Sequence, residues 1–217
     1  MSPATLDASA PVARSTRQLT IILSITAFAA VGFIAFAAAP YFLSSSYGPV
    51  EYAPRRGWLL IHIAGGMLAL LTGPVQLWLG LTDRRLDIHR RMGLAYLTGV
   101  GVGSVAAVYL AVHTDFGWLF GAGLLGLAIT WIVTTGMAFL AIKRLLIEQH
   151  KEWMIRSYVV TFAFVTFRVI FPALQASGIG TIPEQLAAAA WGCWAVPLVV
   201  TEAVLQGRKI LSVKALA

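Results

Sequence analysis

Apolar residues run along this chain in six long stretches, at approximately 18–43, 57–81, 90–113, 117–142, 153–174 and 186–206, each bounded by charge, Gly or Pro. Roughly 20 mostly apolar residues carry a helix across the hydrocarbon core of a bilayer. The pattern therefore predicts an all-α, polytopic membrane protein: a six-transmembrane-helix bundle over 18–207. A tail at 1–17, rich in Ser, Ala, Pro and Thr, reads as disordered. A short basic tail follows at 208–217. The first stretch comes after Arg14 and Arg17 and ends in small residues at 37–39, as a secretory signal does. Its apolar run is longer than a signal-peptide core, so it is kept as a span. Trp58, Trp118 and Trp153 fall at span ends, where amphipathic rings favour the headgroup region.

Composition strengthens this reading. Of the 217 residues 59% are hydrophobic and 12% charged, against about 25% charged in a soluble domain. The loops are too short for a soluble catalytic domain. The net charge of +7 is explained by position. Thirteen of the sixteen Lys and Arg residues sit at one set of helix ends: Arg14 and Arg17, Arg84, Arg85, Arg90 and Arg91, Lys143, Arg144, Lys151 and Arg156, and Arg208, Lys209 and Lys214. The opposite loops hold only Arg55 and Arg56, and Arg168 lies within a span. The positive-inside rule then puts both termini in the cytoplasm of a bacterial-type inner membrane, with the lipid bilayer rather than nucleic acid as the partner of the charge. Cys193, the single cysteine, lies in an apolar segment, which excludes an intramolecular disulfide and suits a small core residue.

Candidate chemistry rests on four histidines. Orientation puts His62 and His113 near the outer face, and His89 and His150 near the inner one. Two neutral imidazoles facing one another across a bundle are what a six-coordinate haem iron requires. The leading expectation is therefore haem b, bound by His62 with His113 and by His89 with His150. Its setting would be a membrane oxidoreductase or electron carrier with a quinone or another small redox partner. On the second span His62, Gly66, Ala69 and Gly73 share a face, and on the third His89, Gly93, Tyr96 and Gly103 do so. Small residues there leave room for a flat macrocycle, and serve equally for close helix packing in lipid. His89 and His113 are 24 residues apart, about 36 Å at 1.5 Å per residue, so both sit at the edges of the core. A competing use of the same residues is a zinc ion held by His62, His113 and Asp115 in a membrane hydrolase, without any His-Glu-x-x-His motif.

The fifth span adds a second signal. His150, Ser157, Thr161 and Arg168 share a face if the helix extends back to His150. Arg168, within the apolar run 165–170, needs an anion or a cluster of carbonyls: a haem propionate, an anionic substrate, Asp115 or Glu184. Snorkelling to the outer headgroups is the structural alternative. Arg156, the other candidate for a propionate, is also placed to pair with Glu202. These features support an alternative function, a cofactor-free membrane protein that binds or transports a small anionic or lipophilic molecule. Pro74, after Gly73, predicts a kink that shapes a cavity.

Three segments carry a resemblance: HIAGGMLALLTGPVQ from His62, HRRMGLAYLTG from His89, and HKEWMIRSYVVTFAFVTFR from His150 to Arg168. With them the chain resembles, over most of its length, a family of predicted bacterial membrane proteins, number 2306 in the domain-of-unknown-function series. That resemblance implies the membrane architecture. More loosely, a histidine early in one span, a basic loop and a histidine opening the next span look like the transmembrane di-haem cytochromes b of the ascorbate-dependent class, which implies haem ligation. Those proteins space four ligands over four consecutive helices, whereas here His89 and His113 share the third span and His150 lies by a loop.

Overall fold

Inside a bilayer no water satisfies backbone N–H and C=O groups, so each apolar stretch has to close its hydrogen bonds within itself as a helix. The computed structural model describes residues 10–214, with side chains over 16–211, and every long element in it is helical. Helix α1 (Ala10–Phe33) passes through a π-helical turn (Ile34–Ala38) into a short α2 (Pro40–Leu43). A 3-10 turn (Val50–Arg55) leads into α3 (Arg56–Leu81), followed by α4 (Leu86–Val112), α5 (Trp118–Lys143), α6 (Ile147–Thr161), α7 (Ala163–Ser177) and α8 (Ile182–Lys214). Five stretches are long and apolar enough to cross a membrane, and α6 with α7, bent by 40°, together form a sixth candidate.

Three boundaries differ from the hydropathy reading. The last helix runs from Ile182 to Lys214 rather than over 186–206, taking in most of the expected basic tail. Helix α1 starts at Ala10 rather than 18; residues 1–9 and 215–217, parts of the two expected tails, lie outside the described residues. The fifth span breaks at Phe162 instead of running on. Thr161 Oγ1 donates to Ser157 O at 2.9 Å and Thr166 Oγ1 to Phe162 O at 3.2 Å. Hydroxyls that bond carbonyls one turn back in this way often bend helices. His150 lies inside α6, and the inward face it shares with Ser157 and Thr161 ends there; Arg168 belongs to α7.

The closest packing is between α3 and α4. A Cβ on Gly65 would lie 2.6 Å from Gly99 O and 2.7 Å from the backbone N of Gly103, and one on Gly99 would lie 2.7 Å from Gly65 O. Only glycine permits this approach, the usual device for joining helices in lipid. The rest of the small-residue face is filled by rings from other helices. Tyr158 seats in the notch of Gly73, Phe164 against Gly66, and Trp131 against Gly103. Pro74 leaves the carbonyl of Leu70 without its intrahelical donor, and Tyr158 Oη donates to that oxygen at 3.4 Å. Helix α3 therefore runs on as one element through the proline.

Ion pairs tie each end of the bundle. At one end Arg55 Nη1 meets Asp115 Oδ2 at 2.6 Å, joining the turn before α3 to the loop after α4. At the other, Lys151 pairs with Asp83 at 3.2 Å, Lys209 with Glu152 at 2.7 Å and Arg156 with Glu202 at 2.7 Å. These contacts bring together the loops that an alternating topology assigns to the same side.

Replacing Gly65 by Val should lower the midpoint of thermal unfolding in detergent by the equivalent of about 1–3 kcal/mol, the usual cost of overpacking. Gly101, where a Cβ meets nothing within 4 Å, should accept Val with the midpoint nearly unchanged. Equal midpoints for the two variants would contradict the glycine seam.

Candidate functional site

At the centre of the bundle a group of polar side chains is buried: Tyr96 on α4, Thr135 and Trp131 on α5, Ser157 and Thr161 on α6. Their hydrogen bonds have one consistent direction. Thr161 donates its proton to Ser157 O, so its oxygen accepts from Tyr96 Oη and from Trp131 Nε1, both at 2.7 Å. Tyr96 then accepts from Ser157 Oγ at 2.7 Å, and Ser157 accepts from Thr135 Oγ1 at 2.6 Å. Every hydroxyl is satisfied, as burial in a medium of low dielectric demands.

Above this network, toward the Arg55–Asp115 end, lies a cavity of about 460 Å³. Trp131, Val160 and Ala163 line its base, Phe164, Phe167 and Phe171 of α7 one wall, and Phe33, Ala37 and Ala38 at the π-helical turn another. Two basic side chains reach it, His62 from α3 and Arg168 from α7. His62 Nδ1 lies 3.0 Å from Gly103 O and the ring sits 5.1 Å from that of Phe164. Facing a carbonyl, Nδ1 carries the hydrogen, which leaves Nε2 of the neutral ring as a free acceptor. Arg168 makes no hydrogen bond or ion pair among the described residues. The two acids expected to meet it are engaged elsewhere: Asp115 by Arg55, and Glu184 by the backbone N and hydroxyl of Thr181, at 2.7 and 2.8 Å, where it caps α8.

At the opposite end, His89 of α4 and His150 of α6 meet. Their ring centroids are 6.2 Å apart with the planes crossed at 86°. His89 Nδ1 donates to Gln76 O at 3.0 Å and His150 Nδ1 to Ala138 O at 2.9 Å. The ring of His89 fits because residue 80 is glycine; a Cβ there would lie 2.8 Å from Cε1. Gln76 itself is 1% exposed, and its Nε2 has no hydrogen-bond partner. A Cβ on Gly93, one turn from His89, would lie 3.3 Å from the Gln76 side-chain oxygen.

Of the two histidine pairs expected, one is brought together and one is not. His113 is exposed at the C-terminal cap of α4, with Nδ1 2.8 Å from Tyr109 O and its ring stacked on Tyr109 at 4.2 Å. It does not line the cavity that holds His62. Nor do His62, His113 and Asp115 gather around a common point: no group of three or more His, Cys, Asp or Glu able to hold a metal occurs among the described residues. Arg156 is buried at 7% exposure, paired with Glu202, 3.5 Å from Glu152 and stacked over Trp153 at 4.8 Å. Two carboxylates already answer its charge. Sequence reasoning missed Gln76, Thr135 and the ring wall of α7. The one signal for Thr135 was a Thr-Thr pair inside an otherwise apolar span.

This fold and these sites define an integral membrane protein, a bundle of helices with a buried polar centre, an apolar cavity at one end and a histidine pair at the other. The chain belongs to the family described as predicted membrane protein, domain of unknown function 2306, which it matches over residues 59–205. No curated protein and no solved structure matches it.

Tyr96→Phe should destabilise the bundle by about 1–3 kcal/mol, because Ser157 and Thr161 then lose a buried partner. Thr98→Val, at an exposed position whose hydroxyl only bonds Leu94 O, should leave thermal unfolding almost unmoved.

Proposed function

We propose that this membrane protein transfers electrons, with one haem b held between His89 and His150. The observation that carries the proposal is the geometry of that pair. Two imidazoles that share a metal at about 2.0–2.1 Å per bond have centroids roughly 6 Å apart, and these are 6.2 Å apart. Each Nδ1–H is fixed by a backbone carbonyl, the outer contact that orients a ligating histidine and leaves Nε2 for the metal.

Two features beside the pair support this reading: Gly80 admits the ring of His89, and the buried Gln76 amide has a donor to spare. Arg84, Arg90 and Arg91 lie exposed at the same end, where they would pair with propionates. Arg156 is held by its own carboxylates. A haem bound there would supply one-electron oxidation and reduction. The protein's part is to hold the two rings crossed and to keep their tautomers through the carbonyls of Gln76 and Ala138. In this reading the histidine pair faces the cytoplasm of a bacterial inner membrane, where the basic loops belong, and a quinone or a similar membrane-soluble molecule exchanges the electron.

Protein purified from haem-replete cells should give a reduced-minus-oxidised b-type spectrum. His89→Ala or His150→Ala should lower haem content at least tenfold, and His113→Ala should leave it unchanged. A colourless wild-type protein, or one whose haem survives both substitutions, would overturn the proposal.

A further inference from the structure

The cavity at the other end has a charge that its own walls do not balance. Its lining contains one permanent cation, Arg168, and no carboxylate. A guanidinium in a membrane span is costly and is ordinarily matched by an anion or by carbonyls. Arg168 has neither among the described residues, while Asp115 and Glu184 are committed to Arg55 and Thr181. Its side chain is exposed on α7, so snorkelling to the headgroups is the alternative, and that reading predicts no preference of the cavity for an anion over its ester.

The rest of the chamber is apolar and largely aromatic, and its 460 Å³ falls within the range of small-molecule sites, about 300–1,000 Å³. A π-helical turn interrupts α1 where Ala37 and Ala38 line the cavity. Such turns are rare and frequently accompany functional sites.

We propose that this cavity binds a lipophilic anion, an amphipath whose oxyanion head pairs with Arg168 and whose apolar chain lies among Phe164, Phe167, Phe171 and Trp131. His62 Nε2 offers a second polar contact for a hydroxyl near the head. The site is independent of the His89–His150 pair and stands whether or not haem is bound there. A carboxylate and a phosphate ester share the required chemistry, so both are tested.

The base of the chamber is Trp131, which makes bromine quenching of tryptophan fluorescence a direct reading. Protein in a neutral detergent is titrated with 9,10-dibromostearate, with a phosphatidic acid carrying dibrominated chains, and with methyl 9,10-dibromostearate as the uncharged control. Saturable quenching by at least one of the two anions is expected, with the methyl ester at least tenfold weaker. Quenching by stearate alone assigns a free acid, and by phosphatidic acid alone a lipid headgroup. Arg168→Gln should weaken the anion at least tenfold and bring it level with the ester, Arg168→Lys should recover part of the loss, and Trp131→Phe should remove most of the quenching signal. Ala107→Phe keeps the cation but fills the chamber, and should abolish saturation; it serves if Arg168→Gln does not fold. Equal quenching by ester and anions, or unaltered anion binding in Arg168→Gln, would overturn the assignment.

Discussion

The glycine contact between α3 and α4 is the constraint on which the rest depends. Lipid chains are as apolar as leucine, so helices in a bilayer are held by close fit and by hydrogen bonds rather than by a hydrophobic drive. Gly65, Gly99 and Gly103 bring two backbones to within reach of each other. Two histidine bonds cross that seam reciprocally: His62 of α3 reaches Gly103 O of α4, and His89 of α4 reaches Gln76 O of α3. With no side chain on Gly103, its carbonyl is open to an imidazole from the neighbouring helix. The α3–α4 pairing thus carries a carbonyl to the Nδ1 of one histidine near each end of the bundle.

The broken fifth span distributes the remaining groups. Thr161 spends its proton on Ser157 O and its lone pairs on Tyr96 and Trp131. The same hydroxyl thus completes the buried network and bonds the carbonyl one turn back where the helix ends. Below the bend, α6 carries His150 toward His89; beyond it, α7 turns Phe164 and Arg168 into the cavity. A straight helix would keep His150 and Arg168 on one continuous face, whereas the bend gives each end its own basic group.

Much of this architecture was legible in the sequence. Long apolar runs between charges define spans because the bilayer leaves a chain no other way to pair its backbone. The inward face of Ser157 and Thr161 followed from helical spacing, and the Arg156–Glu202 pair from their common membrane side. The bend was not legible, because the apolar run 162–165 continues through Phe162 without Gly or Pro. The glycine stripe had two readings, and the rings of Tyr158, Phe164 and Trp131, which come from distant sequence, fill much of it. His113 shared a membrane side with His62 but sits past the end of its helix, facing outward. Side alone does not bring two residues together. Gln76 and Thr135 left almost no trace, since a single amide or hydroxyl in an apolar run becomes informative only once its neighbours are known.

The most direct measurement of the proposal that His89 and His150 hold a haem between crossed rings is the electron paramagnetic resonance spectrum of the oxidised wild-type protein. Imidazole planes at 86° predict a low-spin ferric signal of the strongly anisotropic kind given by crossed axial ligands. A rhombic low-spin signal from parallel planes, a high-spin signal, or no haem signal at all would contradict it.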